Sequence, residues 1–136
     1  MRMIHCADLH LDSKMTANLS TDKRKERRAE ILQTFRRMIQ FARENQVEVI
    51  LIAGDLFDTN MVSAAARNTV REAVLHNPDI CFYYLRGNHD TAGLWEEGEE
   101  IPDNLKLFSE SWNYYFQPCK KGQIVIAGAE LKLSNT

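Results

Sequence analysis

The chain lacks any run of about 18 consecutive apolar residues, the length a membrane-crossing helix needs. Its amino terminus also lacks the basic, apolar and small-residue zones of a secretory signal, so a soluble, cytoplasmic protein without membrane contact is expected. Cysteine is scarce. Cys6, Cys81 and Cys119 form neither a close pair nor a CxxC motif, which argues against a disulfide framework and against a thiolate zinc site. Cys6 and Cys81 sit in apolar runs, where a thiol behaves as a small buried hydrophobe. Charge of one sign is missing too: the net charge of -2 gives no bulk attraction for nucleic acid, so DNA binding would need a local basic patch or bound metal. Internal repeats and long linkers are absent. With 136 residues, 44% of them hydrophobic, the chain has enough for one domain with a core and too little for two.

What is present reads as alternating strands and helices. Met1 to Ala7 is a short apolar strand running into Asp8-Leu9-His10. Ser20, Thr21 and Asp22 are helix caps, followed by Ile31, Leu32, Phe35, Met38, Ile39 and Ala42 at three- and four-residue steps, an amphipathic helix that ends near Asn45. Val47 to Ala53 is almost continuously apolar and β-branched, as a parallel strand covered on both faces is. A second helix is expected from Ser63 to His76, stopped by Asn77-Pro78, and a third strand from Ile80 to Leu85. This βαβαβ order gives an α/β class with a parallel sheet. Beyond Gly87 the pattern loosens into a Gly- and Glu-rich loop, a short helix near Asn104 to Ser111 and an apolar strand from Gln123 to Ala127.

Chemistry gathers where the three strands end. They deliver Asp8-Leu9-His10, Gly54-Asp55-Leu56-Phe57-Asp58 and Gly87-Asn88-His89-Asp90 to one carboxyl edge, the edge at which open parallel sheets place functional groups. Each cluster has a plain alternative. Asp-x-His puts two side chains on one side of an extended backbone, yet many such pairs are accidental surface residues. Gly-Asp-x-x-Asp allows a sharp turn that brings a carboxylate to an ion, but also describes a loop with a helix cap. Gly-Asn is a turn signal as well. The plain readings leave the repetition at three successive strand ends unexplained. Carboxylate, amide oxygen and imidazole without thiolate suit manganese first, with iron or zinc next.

In this order the three motifs resemble those of the calcineurin-like metallophosphoesterases, and within them Ile4 to Asp12 and Ala53 to Asp58 look most like the SbcD-like DNA repair exonucleases and related double-strand-break repair nucleases. The resemblance spans Asp8 to Asp90 and implies phosphodiester hydrolysis of DNA by two divalent ions, which together acidify a water and clamp an in-line displacement at phosphorus. It implies that Asp8 and His10 hold the first ion, Asp55 bridges both and Asn88 holds the second. His89 would face the phosphate as acid or charge stabiliser, with Asp58 accepting a hydrogen bond from its ring and Asp90 capping the turn. DNA is the implied substrate, and an SMC-like ATPase the implied partner.

One departure qualifies the resemblance: no histidine follows His89, whereas the family supplies later ligands through Gly-His and Gly-His-x-His motifs. Residues 1–136 are therefore read as the amino-terminal part of one nuclease domain, the parallel half of a truncated four-layer αββα sandwich. The expectation is one weakly held ion, a second hardly held, little hydrolysis, and an exposed apolar face and sheet edge through which copies associate. Thr59-Asn60 after Asp58, and Asp90 rather than glutamate, favour a diesterase over the alternative of a phosphomonoesterase or protein phosphatase. A non-catalytic assembly module is the alternative from another class. His5, His76, the basic run Lys23 to Arg28 and Trp95 are read first as packing or solvated residues, ahead of ligand or DNA contacts.

Overall fold

The computed structural model describes residues 1–14, 18–58, 62–87 and 93–131. Three parallel strands, β1 (Met3–Cys6), β2 (Val49–Ala53) and β3 (Cys81–Leu85), alternate with helices α1 (Thr21–Glu44) and α2 (Ala64–Leu75). A fourth strand, β4 (Leu105–Leu107), extends the sheet in the order β1-β2-β3-β4, all parallel. The α/β class and the βαβαβ order expected from the apolar pattern are what the chain forms.

Both helices begin where serine caps them. The Ser20 hydroxyl accepts from Lys23 N at 3.3 Å and the Ser63 hydroxyl from Ala66 N at 3.1 Å, each satisfying an amide the helix itself leaves unpaired. Alternation along the strands then sorts the core. Ile50, Ile52, Phe82 and Tyr84 face the helices and meet Phe35, Ile39, Ala42, Ala66, Val70 and Val74. Val49, Leu51, Tyr83 and Leu85 face the opposite side. Val49 and Ile50 are both fully buried, as a strand covered on two faces requires.

The opposite face is covered by a hairpin, β5 (Asn113–Cys119) and β6 (Gly122–Gly128), antiparallel and separate from the main sheet. Tyr115 and Ile126 point inward; the Tyr115 ring meets Tyr83 and Phe108 edge-on at 5.7 and 5.5 Å. The outward residues Tyr114, Phe116 and Val125, with Trp112, remain 55–65% exposed. Among the described residues β5 and β6 pair with each other alone, so the expected apolar face and open sheet edge are present.

One expectation fails. The segment near Asn104 to Ser111 is not a helix; it contains β4 and a following loop. The Asn104 side-chain amide donates to Val74 O, Asn77 O and Ile80 O at 2.8–3.1 Å, and its backbone carbonyl accepts from Phe82 N at 2.7 Å. This anchoring lays Leu105 beside β3, and tertiary pairing overrides local helix propensity. β5 leaves no clear apolar alternation in the sequence, because its half-buried positions Asn113, Tyr115 and Gln117 are polar or amphipathic while Tyr114 and Phe116 face outward.

Candidate metal centre

Beyond the last residues of β1 and β2 the two chain segments stay zipped together. Asp8 N donates to Gly54 O at 3.1 Å, His10 N to Asp55 O at 3.0 Å and Leu11 N to Leu56 O at 2.8 Å. Leu11, Leu56 and Phe57 are at most 1% exposed and anchor both loops in the core. The polar residues between these anchors are thereby held at the rim. Their backbones are unusual: Asp8, His10, Asp12 and Asp55 all have positive φ, from 46° to 67°. Such left-handed conformations cost a non-glycine residue roughly 1–2 kcal/mol each, and they concentrate where surrounding structure over-determines them for function.

Two glycines complete the turn. Gly54, at φ 86°, donates its amide to Leu85 O at 2.8 Å, tying the end of β2 to the end of β3. Gly87 lies so close to Asp55 that a Cβ there would stand 2.4 Å from Asp55 Oδ1 and 2.5 Å from its amide nitrogen. The backbone after β3 approaches the carboxylate because position 87 has no side chain.

The result is a set of three side chains from two loops. Ligand atoms of Asp8, His10 and Asp55 lie within 4.8 Å of one another. Ligand atoms about 2.1 Å from a shared ion stand roughly 3 to 4 Å apart, so this set is within small side-chain shifts of the spacing that one divalent ion would need. Two carboxylates and an imidazole, without sulfur, suit a borderline or hard divalent cation. Asp8 is the open member, with its side chain 72% exposed, while His10 is half-buried at 35%.

The imidazole is held at one nitrogen and faces a carboxylate with the other. Nε2 lies 3.8 Å from Asp8 Oδ1 and Nδ1 lies 2.9 Å from Asp58 Oδ1. The sequence reading gave Asp58 to His89; the partner the described residues show is His10. Nothing in the composition signals this bond, which joins positions 48 residues apart. Asp12 is a further residue that the motif reading left without a role: its Oδ2 accepts from Ser63 N at 2.7 Å and ties the first loop to the start of α2. Asn88, His89 and Asp90 lie outside the described residues, as do Thr59 and Asn60.

The remaining candidates take structural places. Trp95 packs against the core with the Arg71 guanidinium 4.8 Å over its ring, and Arg71 also forms a two-bond pair with Glu99. The hydrogen bonds from Arg71 hold the Glu99 carboxyl below its ordinary range. In the basic run, Arg28 Nε donates to Ser13 O at 3.1 Å, whereas Lys23, Lys25 and Arg27 are exposed. His76 caps the carboxyl end of α2, and His5 is exposed on edge strand β1. Burial pushes the Cys6 thiol up to about 11, and its Sγ approaches Leu51 O at 3.5 Å, so it is a packed thiol and not a nucleophile. Among the described residues no helix is long and apolar enough to cross a membrane.

The chain is 33% identical over 115 residues to an uncharacterized metallophosphoesterase, YhaO, of Bacillus subtilis, covering 82% of this chain and 28% of that protein. It is 30% identical over 103 residues to a subunit of the SbcCD nuclease of Escherichia coli, covering 74% of this chain and 24% of the relative. It is 29% identical over 110 residues to the DNA double-strand break repair protein Mre11 of Saccharolobus solfataricus, covering 77% and 26%. The chain thus spans about a quarter of the length of these relatives. The calcineurin-like phosphoesterase profile matches residues 1–130, and the chain belongs to that family.

Proposed function

We propose that this chain carries the first metal-binding half of a nuclease that hydrolyses phosphodiester bonds in DNA. The observation that carries the reading is the gathering of Asp8, His10 and Asp55 at the rim where β1 and β2 end, with the Gly87 backbone packed against Asp55. Likeness to a nuclease component and to a double-strand break repair protein supports DNA as the substrate. So do Thr59-Asn60 and Asp90, which depart from the phosphatase pattern.

In this reading Asp8 and His10 hold a first divalent ion, Asp55 is shared, and Asn88 serves a second. Manganese is proposed first, and iron or zinc next. When bound, such ions supply Lewis acidity that activates water and offsets charge on the phosphoryl oxygens. The chain's own residues do the rest. The left-handed loops present the carboxylates in place, and His89 is assigned to the phosphate as the acid for the leaving oxygen or as a stabiliser of transition-state charge.

The name of one relative makes it part of a nuclease complex, which supports an assembly with an SMC-like ATPase for the whole protein. A cytoplasmic setting accords with three free cysteines. The outer face of β5 and β6, rich in exposed aromatics, is proposed to join copies of the chain; a monomeric mass at high concentration in sedimentation counts against it. The complete gene product with manganese tests the activity. Degradation of linear DNA with little release of phosphate from a phosphomonoester is expected, and the reverse preference rejects the nuclease reading.

A further inference from the structure

Asp58 stands three residues after the shared carboxylate of Asp55, so one loop supplies both a ligand and a group able to orient its neighbour. An ionised carboxylate can accept a hydrogen bond but not donate one. With Asp58 Oδ1 as acceptor at 2.9 Å, Nδ1 of His10 is the donor of the tautomer this contact favours, and that tautomer keeps the lone pair on Nε2. Nε2 is the nitrogen on the Asp8 side, 3.8 Å from its carboxylate oxygen. The two side chains are 35% and 30% exposed, half-shielded from water that would otherwise compete for the bond. Neighbouring contacts hold both loops: His10 N donates to Asp55 O, and Phe57, next to Asp58, is buried in the core.

We propose that Asp58 is a positioning residue for the metal centre, acting through His10: by accepting the Nδ1 proton it holds the imidazole in the tautomer whose Nε2 lone pair faces the ion shared with Asp8 and Asp55. This rests on the metal-site reading above and deepens it, because it assigns Asp58 to ion capture and not solely to His89. Carboxylates placed behind ligating histidines raise ligand basicity and fix ring orientation, and losing one typically weakens metal binding 10- to 100-fold.

Two measurements on the full chain test it, neither of which uses catalysis. Long-range proton–nitrogen NMR of the metal-free protein at mildly alkaline pH reads the His10 tautomer, and calorimetry with manganese chloride reads affinity. In the wild type the Nδ1-protonated form is expected. In Asp58→Ala the Nε2-protonated form should become the majority, and manganese affinity should fall roughly 10- to 100-fold. Asp58→Asn keeps an oxygen able to accept the same proton, so it should retain the tautomer and recover most of the affinity, which a fault in folding would not allow. An Asp58→Ala protein that keeps the wild-type tautomer, or binds manganese within about twofold of wild type, overturns the inference. A wild-type chain that takes up no manganese overturns the metal reading itself, an outcome separable from the first because it appears before any substitution is made.

Discussion

Gly87 and Asp55 are packed backbone to carboxylate, so tightly that the methyl group of an alanine at 87 would lie 2.4 Å from Asp55 Oδ1. The nearest atoms include the Asp55 amide nitrogen at 2.5 Å, which cannot swing aside as the end of a flexible side chain does. Gly87→Ala should therefore displace Asp55 or the loop after β3. A stability loss of about 1–3 kcal/mol in urea unfolding is expected, with manganese affinity down at least roughly tenfold by calorimetry.

Asp8 separates backbone strain from ligand chemistry. Its φ of 53° costs nothing to glycine and about 1 kcal/mol to alanine. Asp8→Gly should thus be about 1 kcal/mol more stable than Asp8→Ala in thermal or urea unfolding, while both lose manganese binding. Equal stabilities would mean that position 8 is not held in the left-handed region.

Asn104 pins β4 to the turn after α2 through three carbonyls. Asn104→Ala leaves those acceptors with fewer donors and should cost about 1–3 kcal/mol. Since none of these contacts reaches Asp8, His10 or Asp55, manganese affinity should stay within about twofold of wild type under folding conditions.

Alkaline pH should destabilise the fold. Burial raises Cys6 from an ordinary 9.0 to about 11, and burial also raises Cys81 and Tyr83. For each, the unfolded chain releases its proton at lower pH than the folded one. The stabilisation is therefore fully present below the ordinary value and fades as pH rises through the folded one. Thermal midpoints should fall from about pH 9 towards about 11, and Cys6→Ala should flatten part of that slope.

The stoichiometry of the chain follows from which ligands the described loops hold. Asp8, His10 and Asp55 form one set, and no histidine follows His89 in the sequence. Calorimetry on residues 1–136 should give one manganese site at Asp8, His10 and Asp55; two tight sites would refute this ligand assignment.

The parallel sheet and both helices were legible because burial writes itself into periodicity. Val47 to Ala53 is apolar on both faces because both are covered, and Ser20 and Ser63 announce the helices they cap. The candidate ligands Asp8, His10 and Asp55 were legible from their repetition at strand ends. β4 was not, because its three residues are held by a side-chain amide from outside the strand. β5 was missed because a half-exposed hairpin with tyrosines inward and outward has no clean alternation. The bond from His10 to Asp58 joins two motifs distant in sequence, and no pattern within either motif encodes it.

The zipper between the loops after β1 and β2 is made of main-chain hydrogen bonds and buried leucines, none of which involves an ion. Chelation should accordingly strip the centre without melting it, and fresh cation should reload it without a refolding lag. Such a protein can be purified metal-free and repopulated with one element at a time, so that the preference among manganese, iron and zinc becomes a matter of direct titration.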